Sequence, residues 1–231
     1  MPLSSAVNCR SKRRWFFMVR RFAFFLALVV CAVSADAKMK RRSAARISVS
    51  SGPFSTVVID PGHGGFDRCG IRQNIIPEKG VALDVSLRLS RALQQAGIRT
   101  VLTRDSDTFV TLGQRVSVAN AHPDAVFVSV HFNSGRRVGA RGIETFYSSA
   151  ASASLATRIH RYAIRTTPGD NRGVKRASFY VLRKPRIRAV LVECGFLTNP
   201  QDAALANNAA YQQKLSERIA AAVVAYRDSF R

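Results

Sequence analysis

Residues 57–65 read VVIDPGHGG, an apolar run that passes directly into a turn with three glycines and one histidine. A short apolar run of β-branched residues bounded by Pro and Gly is typical of a buried strand that ends at a tight turn. The histidine of this turn, His63, therefore follows a predicted strand immediately. In open α/β sheets, sites collect beyond the carboxyl ends of the strands. We therefore expect His63 to belong to a site, with the glycines clearing space for it to reach a metal.

The rest of the chain alternates between strand-like and helix-like segments. We predict strands at 56–60, 98–103, 125–131, 142–148, 178–182 and 189–193. We predict helices at 79–96, 111–121 and 152–165, and a last one that begins after Asn199 and Pro200. Gly97 is expected to stop the first of these helices, and Asn199 to cap the last. This alternation indicates an α/β fold with a mostly parallel, twisted sheet of about six strands and helices on both faces.

Three further polar residues fall at the same edge of the predicted sheet. His131 and Glu193 each end a predicted strand, and Glu78 begins the helix that follows the first strand. Two histidines and one carboxylate are a usual ligand set for catalytic zinc, which keeps a fourth position for water. The remaining carboxylate is then a candidate base. Each residue also has an ordinary explanation, such as a hydrogen-bonding loop histidine or a carboxylate at a helix N-terminus. Glu193 fits such explanations least, because a buried carboxylate without a partner is costly.

Charge and the N-terminus narrow the class of partner. The 231-residue chain has a formal net charge of +22, which favours anionic partners. Basic residues between 10 and 21 precede the apolar run FAFFLALVVCAVSA at 22–35, and a small-x-small site ends at Ala37. This pattern predicts a signal peptide at 1–37, followed by a basic flexible tether at 38–53. The alternative is an uncleaved N-terminal anchor, although the apolar run is short for a membrane span.

Export changes what the remaining charge and cysteines mean. Loss of six basic residues and Asp36 with the signal leaves a net charge of +17, which suits an anionic cell-envelope polymer and makes nucleic acid an unfavoured partner. Cys9 and Cys31 are lost as well, so Cys69 and Cys194 remain. An oxidising compartment permits a disulfide between them, and two free thiols are the alternative.

Several motifs resemble the zinc-dependent N-acetylmuramoyl-L-alanine amidases of bacterial cell-wall turnover. They are IDPGHGGFD at 59–67, PEK at 77–79, SVHFN at 129–133, RGVK at 172–175 and VECGFLTNP at 192–200. The resemblance implies a single three-layer catalytic domain at 54–231. It implies one Zn²⁺ per chain bound by His63, Glu78 and His131, with Glu193 as the catalytic acid/base. The implied reaction cleaves the amide between the lactyl group of muramic acid and the L-alanine of the stem peptide.

The resemblance also implies partners, and the chain differs from the family pattern at some positions. Peptidoglycan is the implied partner, and Arg172 and Lys175 are the substrate-binding candidates. The implied enzyme is an exported monomer in the periplasm or cell wall, with no stable membrane anchor after signal cleavage. Cys69 and Cys194 stand at positions where relatives often differ, and we expect a disulfide between them. Some relatives carry an inhibitory helix before the core helix at 152–165; residues 148–151 leave no room for one. A zinc peptidase that cuts within the stem and a non-catalytic envelope-binding protein are the rival hypotheses.

Overall fold

The computed structural model describes residues 53–69, 76–135, 139–167 and 169–231. The predicted signal peptide at 1–37 lies outside these ranges, as does the predicted tether except for its last residue, Pro53. Within the described ranges, no helix combines the length and the apolar character needed to cross a membrane.

The described part of the chain contains six strands and six helices, which alternate except that β4 follows β3 and α6 follows α5. The strands are β1 (Thr56–Pro61), β2 (Arg99–Leu102), β3 (Ala125–Asn133), β4 (Ile143–Tyr147), β5 (Asn171–Arg176) and β6 (Arg188–Phe196). The helices are α1 (Glu78–Gln95), α2 (Leu112–Asn120), α3 (Ala153–Ala163), α4 (Tyr180–Arg183), α5 (Pro200–Ala206) and α6 (Ala209–Asp228). Two short 3-10 turns, Ala150–Ser152 and Ile164–Thr166, flank α3.

The six strands form one sheet in the order β2-β1-β3-β6-β4-β5. All neighbouring pairs are parallel except β4 with β6, which is antiparallel. β1 and β3 therefore end at the same edge, with Pro61 opposite Val130, and β6 runs beside β3 with Glu193 opposite His131. This register brings the predicted site residues of three neighbouring segments to one edge of the sheet.

The two faces of the sheet bury two separate apolar clusters. Val57 and Ile59 of β1 belong to the larger cluster, which α1, α3 and α6 cover. Val58 lies between them in sequence and points to the other face, where Val181 and Leu182 of α4 belong to the smaller cluster. Successive side chains of a strand point to opposite faces, so a strand covered on both sides is apolar throughout. The predicted fold, a mostly parallel sheet of about six strands with helices on both faces, is confirmed.

The helix-end signals act as predicted. Gly97, with φ +71°, follows the C-terminus of α1, where glycine tolerates the left-handed conformation. The Asn199 side chain accepts hydrogen bonds from the backbone N–H groups of Gln201 and Asp202, and Pro200 is the first residue of α5. The predicted single helix after Asn199 is in fact two, α5 and α6, because Asn208 caps a new helix.

One predicted strand is wrong. Residues 178–182 were expected to form a strand because they are aromatic and apolar, but the segment contains the start of α4 instead. The strand lies just before it, as β5, which has the polar sequence NRGVKR. Because β5 is at the edge of the sheet, its side chains are largely exposed or half-buried, and the strand therefore carries no apolar alternation.

Candidate metal centre

Three segments bring His63, Glu78 and His131 together at the carboxyl edge of β1 and β3. His63 lies two residues beyond β1, His131 lies within β3, and Glu78 is the first residue of α1. The Glu78 side chain is buried, and its Oε1 accepts a hydrogen bond from the backbone N–H of Phe132 at 3.0 Å. The carboxylate is therefore fixed against the end of β3, between the two imidazoles.

The Glu78 carboxylate contacts both histidines. Its Oε2 lies 3.2 Å from Nε2 of His63, and its Oε1 lies 2.8 Å from Nδ1 of His131. The two rings are nearly perpendicular, with centroids 5.1 Å apart. Nδ1 of His63 is 2.9 Å from Oδ2 of Asp67, although the pair lacks the alignment of a well-formed hydrogen bond.

The charges of this cluster reinforce one another. Burial lowers the pKa of His63, but its contacts with Cys69 and Glu78 outweigh that effect and raise the pKa to about 11. Burial also opposes the charged form of His131, and its hydrogen bond with Glu78 raises its pKa in spite of this. The two histidines in turn overcome the burial of Glu78 and hold its pKa far below its usual value. The cluster therefore attracts positive charge strongly, which is a property that protons and metal cations share.

The donor set fits zinc. Tetrahedral zinc with ligand atoms at about 2.0–2.1 Å separates neighbouring ligand atoms by about 3.3 Å. One ligand atom from each of His63, Glu78 and His131 lies within 4.8 Å of the others, and the His63–Glu78 separation of 3.2 Å matches the tetrahedral value closely. Three protein ligands leave one coordination position open, as in catalytic zinc sites.

Glu193 lies beside this cluster on β6. It is opposite His131 in the parallel register and opposite Glu144 in the antiparallel one. Its Oε2 is buried and has no hydrogen-bond partner among the described residues. Burial raises the pKa of Glu193 to about 7; the charge of His131 opposes the rise, and those of Glu78 and Glu144 add to it. A carboxylate with a pKa near neutrality can both accept and return a proton.

Comparisons with known proteins identify the family of the chain. Residues 57–225 match the family described as N-acetylmuramoyl-L-alanine amidase. The chain belongs to this family. The amidase AmiA of Escherichia coli is 30% identical over 223 residues, which cover 76% of this chain and 77% of AmiA. The amidase LytC of Bacillus subtilis is 36% identical over 175 residues, which cover 74% of this chain but only 35% of LytC.

A solved structure of a related amidase has the same fold as this chain. The catalytic domain of the amidase CwlV from Bacillus (Paenibacillus) polymyxa superposes with a TM-score of 0.72 at 36% identity, covering 76% of this chain and 99% of that domain. The amidase family and the fold expected from the sequence motifs are therefore confirmed.

Two glycines of the amidase's His63 turn make room for residues from other segments. A Cβ on Gly62 would lie 2.5 Å from Cε1 of His131, so the bare backbone makes room for the second imidazole. A Cβ on Gly64 would lie 2.2 Å from the carbonyl oxygen of Thr108 and 2.9 Å from Nε of Arg104. The expectation that the glycines clear space for His63 stays a prediction; the contacts of Gly62 and Gly64 show that they also make room for His131 and Arg104. His63 has a left-handed backbone itself, with φ +57°.

Sequence reasoning missed a buried ion pair that supports this turn. Asp60 ends the apolar run of β1 and is 1% exposed. Its Oδ1 accepts hydrogen bonds from Arg115 Nη1 at 2.7 Å and from Thr103 Oγ1 at 2.6 Å, and its Oδ2 accepts one from Ser129 Oγ at 2.7 Å. Arg115 also donates to the carbonyl oxygen of His63 at 2.7 Å. The available signal was a carboxylate within a buried strand, the same signal that singled out Glu193.

The two substrate-binding candidates both contact Glu144. Lys175 Nζ lies 2.5 Å and Arg172 Nε 3.4 Å from Oε2 of this buried carboxylate. Asn133 Nδ2 donates to its Oε1 at 2.7 Å. Glu144 was not predicted as a site residue. Arg172 and Lys175 remain partly exposed, so the two cations and one carboxylate form a group with a net positive charge beside Glu193.

Cys69 and Cys194 are both free thiols in the structure, in contrast to the expected disulfide. Cys69 follows the His63 turn and is half-buried. Cys194 directly follows Glu193 on β6, so its side chain points to the opposite face, where it is 2% exposed in the larger apolar cluster. Cys194 therefore points away from the groove, although both cysteines lie close to candidate site residues in the sequence.

A groove of about 500 Å³ opens onto the metal centre. His63, His131 and Glu193 line one part of it. Phe109 and Leu112 line one wall, and Phe179 and Tyr180 another; all four side chains are exposed. Phe66 stacks on Phe109 with ring centroids 4.1 Å apart. The amidase thus presents most of its large exposed apolar side chains, among the residues described, around this groove.

Proposed function

We propose that the protein hydrolyses the amide bond between the lactyl group of N-acetylmuramic acid and the L-alanine of the peptidoglycan stem peptide. The observation that carries this proposal is the placement of Glu193 opposite His131, beside the cluster of His63, Glu78 and His131. A ligand set with an open position and a buried carboxylate next to it is the arrangement that metal-assisted hydrolysis requires. AmiA and LytC bear the name of this activity and are similar to most of the chain.

One zinc ion per chain is the proposed cofactor, with His63, Glu78 and His131 as its ligands. When bound, zinc polarises the scissile carbonyl and lowers the pKa of a water molecule toward about 7. The Glu78 hydrogen bond to the backbone of Phe132 holds the carboxylate in place for this role. Arg115 holds the turn at His63 by donating a hydrogen bond to the carbonyl oxygen of His63.

Glu193 is the proposed base and acid. Its unpartnered Oε2 accepts a proton from the attacking water, whose oxygen bonds to the carbonyl carbon. The carbon–nitrogen bond then breaks, and Glu193 returns the proton to the nitrogen of L-alanine, which leaves as an amine. The lactyl group is left with a carboxylic acid, which loses the second proton of the water to solvent and becomes a carboxylate. A pKa of about 7 suits both proton transfers.

The groove and the group of charges beside it are the proposed binding region for peptidoglycan. Arg172 and Lys175 carry two positive charges, and Glu144 neutralises one of them. Both cationic side chains remain partly exposed. They are therefore suited to a carboxylate of the stem peptide or to another anionic polymer of the envelope. We propose that the protein is exported and acts as a monomer in the periplasm or cell wall.

The test replaces the two carboxylates one at a time. Glu193→Gln keeps the shape of the side chain and removes the proton acceptor, so activity should fall by about 10²–10⁴-fold while zinc content stays unchanged. Glu78→Gln replaces a charged ligand by a neutral one, and the purified protein should contain less zinc. Zinc per chain, melting temperature and turnover are measured for both variants and for the wild-type protein.

Two results would contradict the proposal. Near-normal turnover in folded, zinc-loaded Glu193→Gln would remove Glu193 as the base. Absence of stoichiometric metal in the wild-type protein would remove the metal centre.

A further inference from the structure

Arg104 is a buried arginine close to the metal centre, just beyond the end of β2. It is 5% exposed. Each hydrogen bond that its guanidinium makes among the described residues goes to a backbone carbonyl. Nε donates to Pro61 at 3.1 Å, and Nη1 donates to Ser106 at 2.9 Å. Nη2 donates to two carbonyls, Gly62 at 2.6 Å and Lys79 at 2.8 Å.

The two carbonyls on Nη2 belong to the chain neighbours of two candidate ligands. Gly62 directly precedes His63, and Lys79 directly follows Glu78. A single nitrogen of Arg104 therefore joins the turn after β1 to the first residues of α1. His63 needs such support, because a non-glycine residue with φ +57° is held in a sparsely populated backbone conformation.

We propose that Arg104 is a positioning residue that sets the separation between His63 and Glu78 and thereby the affinity of the protein for zinc. The inference rests on the proposed metal centre. It adds a residue that is absent from the ligand set and from the groove lining, and that acts only through the backbone of its neighbours.

The geometry requires a guanidinium. Its planar fork offers five N–H donors in fixed directions, so one side chain can hold carbonyls from several segments at once. A lysine ammonium is a single point from which no fixed fork extends. Arg115 serves as a comparison: it donates to Pro61 and His63 and pairs with Asp60, so its bonds support the His63 turn but do not reach α1.

The experiment compares Arg104→Lys with Arg99→Lys in the purified protein. Arg99 lies at the start of β2, the strand that precedes Arg104. Its side chain is 63% exposed and hydrogen-bonds to Thr56 and Asp124 at the opposite edge of the sheet. The dissociation constant for Zn²⁺ is measured by competition with a chromophoric chelator. The melting temperature of the metal-free protein is measured in parallel. Arg104→Gln, which keeps one amide donor group, is carried as a second variant.

Folded Arg104→Lys should bind Zn²⁺ about 10–100-fold more weakly than the wild-type protein, the usual effect of losing an outer partner of a metal ligand. Arg99→Lys should bind it as the wild-type protein does. A lowered melting temperature with an unchanged dissociation constant would assign Arg104 a merely structural role and overturn the inference. So would failure of both Arg104 variants to fold. If the wild-type protein itself bound no Zn²⁺, the proposed function would fail first, so the two failures are distinguishable.

Discussion

At the scale of single residues, the candidate metal centre depends on the absence of a side chain at Gly62. The His131 ring lies where the Cβ of any residue other than glycine at position 62 would be, with three ring atoms 2.5–2.7 Å from it. An imidazole ring is rigid, so an added methyl group must displace the ring or the turn. Gly80, in the first turn of α1, has no atom within 4 Å of the equivalent position.

We therefore expect Gly62→Ala to weaken Zn²⁺ binding by about tenfold or more, an effect of the size seen when the surroundings of a metal ligand are disturbed. Gly80→Ala should leave binding unchanged and raise the melting temperature slightly, because alanine is favoured over glycine in a helix by about 1 kcal/mol. Chelator competition and thermal melting on the two variants check this. Equal zinc affinities in both variants would show that His131 tolerates the added methyl group.

The candidate ligands could be predicted from sequence, whereas their supporting residues could not. His63 follows β1, Glu78 begins α1, and His131 and Glu193 lie near the carboxyl ends of β3 and β6, so their common edge follows from the alternation of strands and helices. The partners of Asp60 lie far away in the chain, and its ion pair with Arg115 spans 55 residues. No short-range pattern predicts which arginine closes such a pair.

At the scale of elements, the alternation of side chains along β6 determines which face of the sheet each one reaches. Glu193 and Cys194 are consecutive and point to opposite faces, one toward the groove and the other into the larger apolar cluster. Sequence proximity to the metal ligands suggested that Cys194 could reach Cys69. The period of two along the strand instead points Cys194 into the larger apolar cluster, and both thiols are free in the structure.

Both cysteines should therefore be free in the purified protein. Alkylation in denaturant without reductant, followed by peptide mass spectrometry, should label Cys69 and Cys194 fully. In the native protein Cys69 should react first, because it is half-buried whereas Cys194 is buried. A peptide pair joined through these two sulfurs would contradict the structure at this point.

The strand predicted at 178–182 is wrong because side-chain type does not report how a segment pairs in the sheet. The aromatic residues Phe179 and Tyr180 have strand-forming character, yet they flank the groove at the start of α4 and are exposed. β5 hydrogen-bonds only to β4 and carries polar side chains, including the two that contact Glu144. An edge strand is recognised by its pairing, which sequence periodicity does not report.

At the scale of the whole molecule, charge, fold and groove agree with a hydrolase that acts on an anionic wall polymer. Between β4 and α3 the chain has only residues 148–152, which form a short turn. As the sequence predicts, this connection has no room for an inserted inhibitory helix. We expect the purified protein to act without a second envelope protein.

The most direct test of the account is the identification of the bond that the protein cleaves in purified peptidoglycan. The wall is incubated with the protein alone, and the products are analysed by mass spectrometry, with Glu193→Gln as the matched control. The account predicts intact stem peptides with a free L-alanine amine and uncut glycan strands, at a rate about 10²–10⁴-fold lower in the variant. New reducing sugar ends, or cleavage only within the stem peptide, would contradict it.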